Sequence, residues 1–174
     1  MIAFLQSTLG PYYLYIKFVH LVFVAMWVFS TSMAYAFYLL PVFKAWRRNP
    51  EDKEILAARN WVMERFDEGA LYEHIAFPMI LLTGPLLYVV GGWSTSMGWL
   101  SLKLLIVIGL FIPIEICDFY LSHFGGNKSG FRKRGDEVGY EKHVQMHWWF
   151  FLVTTPPVMV YGILVMFLAI TKPF

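Results

Sequence analysis

The chain has 174 residues, 58% of them hydrophobic and 15% charged. Soluble domains average about 25% charged residues, and a soluble bundle this small lacks the interior to hide so many apolar side chains, so lipid must cover them. The net charge of +2 excludes a nucleic-acid surface built on charge, and a single cysteine, Cys117, excludes an intrachain disulfide.

No Lys or Arg precedes the first apolar run and no small-residue cleavage site follows it, so the N-terminal run reads as a retained span rather than a signal peptide. A membrane-spanning helix needs about 20 largely apolar residues. Four segments meet that, at about residues 13–40, 71–90, 99–120 and 147–170. Barrel strands would alternate polar and apolar over about ten residues, and these runs are longer and apolar on all sides. The expectation is an all-α integral membrane four-helix bundle, a single transmembrane domain over residues 1–174.

Between the first two spans, Asn49-Pro50 reads as a helix cap followed by proline at the first helical position, and Glu51, Asp52 and Glu54 suit the positive end of a helix dipole. Ile55, Val62 and Phe66 then fall near one face, which predicts a short cytoplasmic amphipathic helix. Residues 91–98 form an uncharged turn, and residues 124–141, with Gly125-Gly126-Asn127 and Arg132-Lys133-Arg134, read as a flexible basic loop. Every Lys and Arg except Lys17, Lys103 and Lys172 lies on the side of the two charged connections. The positive-inside rule places those connections in the cytoplasm and both termini outside, and the unprocessed N-terminus points to a bacterial inner membrane.

Ionisable residues within spans are costly and mark function by default. On the terminal side, His20 lies about two turns into the first span, with Lys17 one turn before it and Lys103 at similar depth in the third. Both lysines can snorkel to the interface; His20 is too deep for that. It is either a neutral ring bonded to a neighbouring helix or a ligand of a metal or heme. The basic side holds Glu73 and His74, Glu115 and Asp118, His123, and His143 with His147. This set reads either as an interfacial hydrogen-bond network or as a metal or heme site: His74 and His147 as axial ligands of a heme b, or the carboxylates and histidines His74, Glu115, Asp118, His143 and His147 around copper or another transition metal. The two layers are separated by about 15–20 Å, so one iron cannot take both His20 and His74. A heme on His20 needs a sixth ligand such as Lys103 or Met166, or stays five-coordinate. Trp27 and Tyr38 are placed to line a planar ligand or to pack in the bilayer. Most other aromatics fall at span ends as an interfacial belt.

Several residues come in a recognisable order: Lys17-x-x-His20-x6-Trp27, then Tyr38-Leu39-Leu40-Pro41, Met63-Glu64-Arg65, Phe77-Pro78-Met79 with Gly84, Trp99-Leu100-x-x-Lys103-Leu104, and a terminal Lys172-Pro173-Phe174. The pattern resembles that of the HemJ-type protoporphyrinogen IX oxidase family, small four-helix membrane proteins that bind heme b and are related to CopD-like copper-resistance membrane proteins. The chain departs from the pattern after Pro41, in the third span at Ile114-Glu115, and at Thr154-Thr155-Pro156-Pro157, as a divergent relative would. The resemblance implies a heme ligand at His20 and a lysine beside the heme at Lys103. It implies a redox protein that oxidises protoporphyrinogen IX or passes electrons to quinone. In such a protein Glu115 and His147, which belong to this chain's own acid and histidine set, are placed to relay protons toward the cytoplasm. The alternatives are a metal-binding protein of the copper type and a non-catalytic subunit of a larger membrane complex.

Overall fold

The computed structural model describes residues 1–174, and they form helices and short connections with no strand. Four helical runs are long and apolar enough to cross a membrane. The first comprises α1 (Ile2–Leu9), a 3-10 turn at Gly10–Tyr12, α2 (Tyr13–Ala34), a π turn at Tyr35–Leu39 and α3 (Leu40–Arg48). The second is one unbroken helix, α4 (Lys53–Val90). The third is α5 (Gly98–Ile106), a π turn at Val107–Phe111 and α6 (Ile112–His123). A short helix, α7 (Lys128–Lys133), leads to the fourth, α8 (Glu137–Thr171). The chain is thus a multi-pass membrane bundle.

Both π turns precede a proline, Pro41 and Pro113. A proline ring inside an α-helix collides with the carbonyl four residues back and removes one hydrogen bond. Those carbonyls belong to Phe37 and Gly109, each within the widened turn, and the extra residue gives the ring room without breaking the helix.

Two expectations about the connections are corrected. The cap of the second helix is Asp52, not Asn49: its carboxylate accepts from the backbone N–H groups of Glu54 at 2.9 Å and Ile55 at 3.1 Å, while Asn49 closes α3. The amphipathic helix is present and leads into the second span, the two forming one helix, α4, because nothing between Lys53 and the second span breaks it. The basic connection is not a free loop. Gly126 folds against the backbone of Leu121, where a Cβ would stand 2.7 Å from the Leu121 Cα, so glycine is required there. Asn127 then caps α7, its Oδ1 accepting from the Gly130 N–H at 3.0 Å while its Nδ2 donates to the Ser122 carbonyl at 2.8 Å.

Lipid tails are as apolar as leucine, so helices in the hydrocarbon cohere through packing and polar contacts rather than through hydrophobic exclusion. The largest core sits accordingly at the basic end, where Val62, Phe66, Phe43 and Tyr140 pack with Trp148 and Phe151. Phe43 stacks on Trp148 at 4.1 Å and 7°. The buried Arg59 guanidinium lies over Trp46 at 4.4 Å and pairs with Glu141, tying α4 to α8. At the opposite end, Lys172 takes a left-handed backbone at the end of α8. Its ammonium stands 3.9 Å over the Trp93 ring, and the Phe174 carbonyl accepts from the Trp99 N–H at 3.2 Å. The terminal Lys-Pro-Phe and the Trp-Leu at the head of α5 therefore meet.

Candidate functional site

Two buried polar layers cross the bundle, as the spacing of ionisable residues predicts. From His74 to Thr83, nine residues of α4 set them about 14 Å apart.

In the layer nearer the termini, His20 of α2 is buried and its Nδ1 lies 2.7 Å from the Thr83 hydroxyl of α4. Thr83 has a single hydroxyl proton, and its oxygen lies 2.6 Å from the Met79 carbonyl, which accepts it. With that proton on the Met79 carbonyl, the hydroxyl accepts from His20, an arrangement that puts the ring proton on Nδ1 and leaves Nε2 with a bare lone pair. Nε2 makes no protein hydrogen bond. Gly84 adjoins the ring: a Cβ there would stand 3.7 Å from His20 Cε1. Half-buried Lys103 is within Coulombic range of His20. Trp27, expected beside a planar ligand, belongs elsewhere: its ring packs on Phe77 and Phe111 and its indole N–H donates to Glu115 Oε1 at 2.5 Å. Tyr38 is exposed on the lipid side, and Met166 is half-buried.

The second layer gathers Glu73 and His74 from α4, Glu115, Asp118 and His123 from α6, and His147 from α8, joined by two residues the sequence reading passed over, Asp67 and Lys128. Lys128 is fully buried. Its ammonium donates to Asp67 Oδ1 at 2.8 Å, to the Leu121 carbonyl at 3.1 Å and to His147 Nδ1, while its backbone N–H donates to Asp67 Oδ2 at 3.0 Å. All three ammonium protons are committed, so His147 Nδ1 is an acceptor. The His147 ring proton is on Nε2 and points to Asp118 Oδ1 at 2.9 Å. On the other side of the same carboxylate, His74 Nε2 lies 3.1 Å from Asp118 Oδ2 but outside hydrogen-bond geometry, which leaves both atoms buried without a partner. His74 Nδ1 in turn lies 2.8 Å from His123 Nε2.

His74 and His147 thus flank Asp118 instead of facing each other, so the pair is not arranged as two axial ligands of one heme. No three acid, histidine or cysteine side chains converge on a point that could hold a metal ion. His143, expected to share a face with His147, stacks on Phe131 at 4.3 Å and bonds the Gly139 carbonyl at 2.8 Å, away from the layer. Below Asp118, Glu115 is held by Trp27 and Glu73 accepts from the Thr31 hydroxyl.

Two signals for the overlooked pair were present in the sequence. Asp67 precedes His74 by seven residues, two helical turns, and so shares its face. Asn127 with Gly130 is a cap pattern that puts Lys128 at the first position of a helix, turned back toward the bundle.

No protein-family model, curated protein or solved structure matches the chain.

Proposed function

We propose that this chain is a membrane heme b redox protein of the HemJ type, in which His20 Nε2 would hold the heme. The observation that supports this reading most directly is the proton count at Thr83. A ligating histidine needs an unprotonated nitrogen, and its ring is held by donating the other N–H to a fixed acceptor. Thr83 does both at His20, and the missing side chain at Gly84 keeps one edge of the ring uncovered. The chemistry of these residues fits a histidine that would hold a heme.

Bound there, a heme would supply one-electron chemistry. The chain's own contribution is to fix the ring through Thr83, and Lys103, within Coulombic range of His20, would offer a cation to the acidic groups of a porphyrin. An apolar substrate such as protoporphyrinogen IX, or a quinone acceptor, would arrive through the bilayer. The excess of Lys and Arg at one end supports a reading in which that end faces the cytoplasm and both termini lie on the outer side, in what we take to be a bacterial inner membrane.

The test is the reduced-minus-oxidised spectrum of the protein purified in mild detergent. Sharp b-type bands that vanish in His20→Ala are expected. Bands that survive His20→Ala, or no bands, would refute the reading. Stoichiometric copper or another transition metal without heme would instead make the chain a metal-handling protein or a non-catalytic subunit of a larger complex.

A further inference from the structure

The second polar layer is too ordered to be incidental and is not used by the redox site. Its members form one line, Asp67, Lys128, His147, Asp118, His74 and His123, with each neighbour in contact or within 3.1 Å. The two halves of the line differ. From Asp67 to Asp118 Oδ1 every proton position is forced by the Lys128 ammonium, so that half is static. From Asp118 Oδ2 to His123 it is not: the His74–His123 contact holds one proton that either ring can carry, and His74 Nε2 and Asp118 Oδ2 face each other with no committed bond. Half-buried His123 ends the line beside the exposed Phe124 and Gly125.

Beyond Asp118 lies a cavity of about 20 Å³ bounded by Glu73, Glu115 and Asp118, with Thr31 and Thr155 on its wall. A water needs about 10–15 Å³ and two to four polar partners, so the cavity takes one. Glu115 and Glu73 each have one oxygen engaged, by Trp27 and Thr31, and a second outside those bonds. The titratable groups facing these carboxyls are each other, Asp118 on α6, and His74 from α4 toward Glu115. The first span brings hydroxyls and the Trp27 indole but no charge. Three carboxylates around so small a cavity repel one another, and one proton shared among them relieves the repulsion.

We propose that Glu73 and Glu115 form a proton-binding site inside the membrane, loaded from the basic end through His123, His74, Asp118 and a water in the cavity between the three carboxyls. A proton from solution bonds to His123 Nδ1. His123 releases its Nε2 proton to His74 Nδ1, and His74 releases its Nε2 proton to Asp118 Oδ2. Asp118 passes it through the water to Glu115 or Glu73, and tautomer exchange in the two rings resets the path. One proton enters, one carboxylate becomes a carboxylic acid, and no electron moves. Lys128 and His147 are positioning residues that hold Asp118 from its other side.

The proposal is independent of heme binding, and so is its test. The protein in lipid nanodiscs is taken through an acid jump and followed by infrared difference spectroscopy in H2O and D2O. A deuterium-sensitive protonated-carboxyl band is expected to grow in, and to lose half or more of its amplitude in Glu115→Gln or Glu73→Gln. In His74→Phe the band should reach the same amplitude about tenfold or more slowly, since a positioned proton carrier contributes at least that factor. His123→Gln, at the half-exposed mouth, tests the same step with little risk to folding. A band unchanged in both glutamine variants, or rates unchanged in both His74→Phe and His123→Gln, would overturn the proposal.

Discussion

Replacing Lys128 with methionine removes the one cation buried among Asp67, His147 and Asp118. The side chain that replaces it can fill the volume but offers no donor. Asp67, itself buried, keeps only the Lys128 backbone N–H, and the Leu121 carbonyl and His147 Nδ1 lose their donor. Breaking a buried pair from one side costs about 3–5 kcal/mol, and at about 2–4 °C per kcal/mol for a chain of this size the unfolding midpoint should fall by about 6–20 °C. Lys128→Met combined with Asp67→Asn removes both charges. That leaves the His147 Nδ1 and Leu121 acceptors unsatisfied, as in Lys128→Met, but without an uncompensated Asp67 charge. The double variant should therefore be more stable than Lys128→Met alone. Thermal unfolding in mild detergent, read by size-exclusion chromatography of heated samples, measures both. A Lys128→Met protein with an unchanged midpoint, or a double variant whose loss equals the two single losses added, would refute this account of the pair.

Thr83→Val keeps the shape at His20 but removes the acceptor that orients its ring. Heme affinity should drop by about 10–100-fold, measured by titrating heme into the apo-protein, and unchanged affinity would detach Thr83 from the site. Trp27→Phe keeps the packing on Phe77 and Phe111 but leaves the buried Glu115 without its indole donor. A stability loss of about 1–3 kcal/mol is expected, and it should shrink when Glu115→Gln is added. A loss independent of residue 115 would assign the whole effect to the ring.

The bundle was legible because lipid imposes one rule on every span, that it be long and apolar, and four runs obey it. The helix at the N-terminus, the unbroken α4 and the folded basic connection were less so, because each depends on local detail. Asp52 outcompetes Asn49 as a cap through bonds to two N–H groups. Gly126 works only against the backbone of Leu121, a contact no pattern in the chain announces. At the sites, depth counting separated the two polar layers and placed His20, Glu115 and His147 inside the bundle. It could not tell which lysines stay wet. Lys128 sits among Arg132, Lys133 and Arg134 and reads as one more surface cation, yet it is the buried one, because Asp67 lies across from it on α4. Trp27 shares the first span with His20, but seven residues carry it down two turns and into the other layer.

The π turn at Val107–Phe111 has a bearing on how this bundle tolerates changes in length. It carries one residue beyond an ordinary helical turn, and each residue advances a helix by about 100°. Losing a single amino acid there would leave α5 seated against α8 and swing everything downstream on α6 by that angle. Glu115 and Asp118 would then swing away from the carboxyl-lined cavity, and the Pro113 ring would press on a carbonyl with no slack to yield. Homologous chains should therefore keep the residue count of this stretch even where its lipid-facing residues vary, and an alignment gap inside it would mark a protein that has lost the inner polar layer.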